Sequence, residues 1–121
     1  MKSWGVKEAA LKDDKPRIIQ ALSEIPGVNR VLPAWPGDWA ELPCIVICEA
    51  SNLPADWRDD RERITELEYY VRVFAARAAE LSSAASAADD IMQGLGYSRG
   101  MAWEDDSAEV RQKVMRYRTY L

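Results

Sequence analysis

Histidine is absent from the 121 residues. That excludes a Ser-His-Asp or Cys-His catalytic site and a histidine metal centre. Cysteine is scarce: Cys44 and Cys48 are the only two. On one strand they share a face but stand ~13 Å apart along it, too far to bridge. They are expected to be reduced core thiols, since a reactive thiol needs an activating neighbour. No apolar run approaches the ~18–20 residues of a membrane span. The first residues, Met-Lys-Ser-Trp-Gly-Val-Lys-Glu, lack the apolar core of a signal peptide, so cytoplasmic synthesis and use are expected. A glycine-rich phosphate loop is missing too, because Gly94-Leu-Gly96 follows a predicted helix instead of joining a strand to a helix start. Basic clusters are also lacking. Sixteen Lys and Arg stand against twenty Asp and Glu, for a net charge of -4 and a pI near 4.9. Such a chain is a poor candidate for wrapping nucleic acid and would repel DNA nearby.

What is present is a two-residue hydrophobic rhythm. In Ile64–Ala75, Leu67, Tyr69, Val71 and Val73 alternate with Glu66, Glu68, Tyr70 and Arg72, which predicts a long strand with one face in the core. A second such strand is predicted over 108–121, where Met115, Tyr117, Thr119 and Leu121 alternate with Val114, Arg116, Arg118 and Tyr120. If the two are neighbours, Glu66 and Glu68 face Arg116 and Arg118, and each opposite-charge pair adds roughly 0.2–1 kcal/mol. Length and a hydrophobic content of 48% fit one globular domain over 1–121.

The remaining elements follow in order. Met1 to Lys12 reads as weakly helical. Asp13-Asp14-Lys15-Pro16 reads as a capped helix start, with Ile18, Ile19, Leu22 and Ile25 on one face and Pro26-Gly27 as the stop; one longer helix kinked at Pro16 is the alternative. Val28 to Leu32 is a short strand. A loop with three prolines and two tryptophans precedes Cys44-Ile-Val-Ile-Cys48, whose unbroken apolar run predicts a strand covered on both faces. Residues 50–63 read as an exposed, charged excursion between strands. Alanine-rich 76–93 is an amphipathic helix ended by Gly94 and Gly96. A short strand is expected over 97–103 and a turn at 104–107. The fold class is therefore α+β: a small mixed, mainly antiparallel sheet with two helices packed on it.

Residues that carry chemistry are few. The pairs Asp13-Asp14, Asp59-Asp60, Asp89-Asp90 and Asp105-Asp106 are read as caps, turns and solvated loops, although two pairs together would suit magnesium. Asp89-Asp90 is the unusual pair, since it sits near a helix C-terminus where negative charge is disfavoured; an intersubunit partner would explain it. Trp35, Trp39, Trp57 and Trp103 lie in or beside predicted loops. Each is read either as a cover for the core or as an interface anchor. These four with Asp89 and Asp90 are the interface candidates. No catalytic, cofactor-binding or metal residue is assigned.

Leu42-Pro43 before an apolar strand, the strand Glu-Leu-Glu-Tyr-Tyr-Val-Arg-Val-Phe-Ala before an alanine-rich helix, the Gly96-Tyr97 step and the terminal Arg-Gln-Lys-Val-Met-Arg-Tyr-Arg-Thr-Tyr-Leu form one ordered pattern. Over nearly the whole chain it resembles the small tail-completion proteins of long-tailed bacteriophages and prophages, the tail terminator or tail-to-head joining family. The resemblance implies a structural virion protein, not an enzyme and without cofactor, located at the head–tail interface after assembly in the host cytoplasm. It implies a self-assembled ring, usually a hexamer, on the head-proximal end of the tail tube. There the ring stops polymerisation, contacts the tube protein and the head connector, and lets DNA through its lumen. An acidic wall would let DNA slide. A cyclic ring needs two different patches per subunit, and the sheet edge with the loops at Trp35, Trp39 and Trp57 are the candidates. Two other classes stay open: a small metal-dependent α/β enzyme using paired aspartates, and a monomeric protein-binding adaptor.

Overall fold

A computed structural model of the chain describes residues 11–58, 61–105 and 110–121, without the side chains of residues 57, 58 and 61–63. The order of elements is α1 (Lys15–Leu22), β1 (Arg30–Leu32), β2 (Cys44–Arg58), β3 (Arg61–Ala75), α2 (Ala78–Gly94), β4 (Ser98–Asp105) and β5 (Arg111–Tyr120). The strands form a single sheet in the order β1-β2-β3-β5-β4. β1 runs parallel to β2 and every other pairing is antiparallel. This is the mixed, mainly antiparallel α+β fold that the alternation predicts.

Both helices lie on the same face of the sheet. Ile18 and Leu22 from α1 and Leu81, Ala84, Ala85, Ala88 and Met92 from α2 meet Ile45, Ile47, Leu67, Tyr69, Val71, Val73, Met115 and Tyr117 in one core. The alanines bring α2 close to the strands, and all four predicted core positions of β3 are fully buried. Removal of this apolar surface from water, at about 25 cal/mol per Å², is the main force holding the layers together.

The α2 terminus is fixed by local chemistry. Gly96 takes φ +99°. The Tyr97 amide then donates to the Met92 carbonyl and the Gly96 amide to the Gln93 carbonyl, both at 3.0 Å. This paired closure satisfies carbonyls that the helix leaves open. It also drops Tyr97 into the core.

Several expectations are corrected. The charged stretch 50–63 is not an excursion between strands. Its described residues extend β2 and β3 into one long hairpin, with Leu53 opposite Glu66 and Pro54 opposite Thr65. β5 ends opposite Glu66, and Leu121 exchanges backbone hydrogen bonds with Thr65. Beyond that row the hairpin projects as a two-stranded arm. The first helix is also shorter than expected, ending at Leu22, and Asp14 makes no side-chain cap. Glu104 and Asp105, expected in a turn over 104–107, instead pair on β4 with Lys113 and Gln112, and residues 106 and 107 lie outside the described residues. Of the weak helix expected over Met1 to Lys12, residues 1–10 lie outside the described residues, and Leu11 and Lys12 are not helical.

Candidate interaction surface

The face of the sheet opposite the helices is the part of the molecule whose residues need explaining. Directly paired residues of adjacent strands share a face, so the register orders this surface into rows. Trp103, Val114 and Arg72 make one row; Arg116 and Tyr70 the next; Ser98, Arg118, Glu68 and Ser51 the next; Tyr120, Glu66 and Leu53 the last.

One end of this face is closed by the proline-rich loop. The loop is tied down by Asn29, whose Nδ2 donates to the Leu42 carbonyl at 2.7 Å, and by Arg30, whose Nη2 donates to the Asp38 carbonyl at 3.2 Å. Trp39 thereby lies on Phe74, ring centroids 4.6 Å apart, over a small second core of Cys44, Val46, Phe74 and Val110. Burial raises the pKa of the Cys44 thiol, so it is no ready nucleophile. Both cysteines are free. Trp35 packs against Phe74 at 5.3 Å yet remains 56% exposed. Of the two loop tryptophans, Trp39 is chiefly a cover and Trp35 presents a surface.

From Trp35 an aromatic–arginine row crosses the open face. The Arg72 guanidinium lies 5.6 Å from the Trp35 ring centroid and 5.4 Å from that of Tyr70. Tyr70 meets Trp103 edge-on at 6.2 Å. Arg72 Nη1 donates to Gln112 Oε1 at 3.0 Å, while its Nε is buried without an acceptor among the described residues. Its two ring contacts offset part of that cost, each worth roughly 0.5–2 kcal/mol. Arg116 is half-buried beside Tyr70. Among the described residues neither Arg72 nor Arg116 has a carboxylate partner. Arg118, by contrast, bonds both Glu66 and Glu68 at 2.9 Å. The predicted charge pairing is thus half realised: Arg118 takes both glutamates and Arg116 faces Tyr70.

The aspartates divide differently. Asp14 is buried against the helix side, where it accepts a 2.6 Å bond from the Tyr97 hydroxyl and two bonds from Arg17, while its own amide donates to Tyr69 Oη. Burial pushes its carboxyl up, but the Arg17 and Tyr97 hydrogen bonds together outweigh that and hold it below the usual range. Asp89 is the centre of a second hub. It accepts from the Tyr117 hydroxyl at 2.6 Å, from Arg99 Nε at 3.1 Å and from Gln93 Nε2 at 2.8 Å. Burial first, then the neighbouring carboxylates, push both tyrosine hydroxyls well above their ordinary pKa, so both stay protonated donors. The partners of Asp89 therefore lie within its own chain. Asp90 is exposed on the outer side of α2, without an ion-pair partner among the described residues. Trp57 falls on β2 within the arm, and its side chain lies outside the described residues. No three Asp, Glu or Cys side chains converge on a possible metal position among the described residues.

Of the expected interface residues, Trp35 and Trp103 reach the open face; Tyr70, Arg72 and Arg116, which join them there, are not among those expected. The signal was available in the alternation: these are the positions between core residues on β3 and β5. What the alternation does not say is whether a second layer covers that side. No described helix is long and apolar enough to cross a membrane. Compared with family models and with curated proteins, the chain matches none.

Proposed function

We propose that the chain is a structural virion protein of the tail-completion type. It assembles as a ring, most simply a hexamer, at the head-proximal end of a phage or prophage tail tube. Its partners are further copies of itself, the tail tube protein and a head-completion or connector protein, and DNA passes through the lumen unbound. In this reading it is no enzyme. The observation that carries the proposal is the presence of two unlike faces on one thin domain. One is the aromatic–arginine sheet face; the other is the outer face of α2, which has acidic residues and no Lys or Arg anywhere in the helix. A cyclic assembly requires two different, complementary patches of this kind. The exposed side chains on the sheet face, Trp35, Trp103 and Tyr120, are of types favoured in protein interfaces. The projecting β2–β3 arm supplies a further contact surface, since a two-stranded ribbon is marginally stable alone and gains from a neighbour.

The test uses a polymerising tail tube protein encoded in the genome that carries this chain's gene, and a genome without viral morphogenesis genes would itself contradict the reading. Added to polymerising tubes, the chain should cap one end, arrest elongation and appear as an annulus at that end by electron microscopy. Tubes that grow to the same length distribution with and without an excess of the chain would contradict the reading.

A further inference from the structure

We infer that the open sheet face is the docking site for the α2 face of a second copy of this chain, with Arg116 as its electrostatic anchor and Asp90 as the group it receives. The inference deepens the ring reading and rests on it for the identity of the occupant.

Three observations lead there. Arg116 is half-buried between Tyr70 and the β4 bulge at Gly100, with no carboxylate partner among the described residues. A shallow notch of about 130 Å³ opens beside it, lined by Ser98, Gly100 and Arg118 and by Glu68, whose charge Arg118 takes. A half-buried guanidinium with no carboxylate partner among the described residues favours a planar acceptor such as a carboxylate.

The second observation is that this chain carries the matching group on its opposite layer. Along α2 the charged residues are Glu80, Asp89 and Asp90. Glu80 is held by Arg77 at 3.3 Å and Asp89 by Arg99 at 3.1 Å. That leaves Asp90 exposed and unpaired near the helix C-terminus, where its charge is disfavoured unless something compensates it. Ser82, Ser83 and Ser86 expose a small, polar surface on the same helix, which lets a neighbouring sheet approach closely.

The third concerns nucleic acid, the other class of partner that a sheet face with aromatics and arginines would suit. On the same face Glu68 lies two rows and Glu66 three rows from Trp103, both on Arg118, and the molecule as a whole is acidic. A polyanion following the strands would meet those carboxylates and a net negative molecule, whereas a protein surface need place only one carboxylate, at Arg116. Sheet face against helix face is a head-to-tail contact, and whether it closes into a ring depends on the rotation between copies.

The experiment is a charge-reversal mixing test read by sedimentation velocity, with far-ultraviolet circular dichroism confirming that each variant folds. Wild type should self-associate. Arg116→Glu alone and Asp90→Arg alone should each weaken association more than about tenfold, the effect of placing like charges in contact. Mixed together, the two variants should co-assemble in alternation, because one kind of contact keeps the native charge pair and the other carries the reversed but still opposite pair. The double variant R116E/D90R should regain association. Wild type that associates unchanged by either substitution would overturn the inference while leaving the ring reading intact, since tube capping tests that reading separately. A wild type that stays monomeric at high concentration would also overturn it. So would loss of binding to a fluorescent oligothymidine by R116E with self-association unaffected, an outcome that would assign the face to single-stranded nucleic acid.

Discussion

Asp14 is the residue on which the packing of α1 most depends. It joins helix, sheet and the α2 terminus through Arg17, Tyr69 and Tyr97. Asp14→Ala leaves the buried Tyr97 hydroxyl without its acceptor and should destabilise the fold by about 1–3 kcal/mol in urea unfolding. The same group sets an acid dependence. Because its folded pKa lies below the unfolded 3.8, its contribution is complete above that value and is lost as pH falls through the lower, folded one. Asp14→Ala should therefore flatten the acid limb of a stability–pH curve; an unchanged limb would remove Asp14 from this role. Arg118 offers the contrast. It bonds two glutamates but is about half exposed, so Arg118→Ala should change thermal stability little, and less still in high salt. Of the Asp14 partners only Arg17, three residues on, is within reach of sequence rules; Tyr69 and Tyr97 lie 55 and 83 residues away. The carboxylate that local rules assign to a helix cap is taken by Arg17 and Tyr97 instead. Asp89 was flagged for its unfavourable place on α2, and the reason proved to be Tyr117, Arg99 and Gln93 of the same chain.

At the scale of elements, the strands with one buried face were readable, since Leu67, Tyr69, Val71 and Val73 repeat with the period of the pleat. The unbroken run at Cys44 likewise revealed cover on both faces, supplied by the helices on one side and the Trp39 loop on the other. The arm was not readable. Where both faces of a ribbon are solvated, the alternation vanishes and charged strands resemble a loop. The α2 terminus was partly readable: Gly94 sits within the last helical turn, whereas Gly96 supplies the positive φ. Gly96→Ala should cost about 1–2 kcal/mol, the strain of a side chain in the left-handed region, measured as a lowered urea midpoint. For the arm, replacing residues 57–63 by Asn-Gly closes a shortened ribbon at the Asp56–Ile64 pair with a favoured two-residue turn. Thermal stability should hold within a few degrees while capping of tail tubes is lost; capping that survives would remove the arm from assembly.

Among the described residues the molecule is a sheet with helices on one side and, beyond the Trp39 loop, an open row of rings and arginines on the other. In the proposed assembly the two unlike faces of this domain bind one another from copy to copy. Sedimentation of the intact chain across a wide concentration range should then show a discrete species at a multiple of 13.7 kDa that stops growing once formed. A single 13.7 kDa species at every concentration would contradict it.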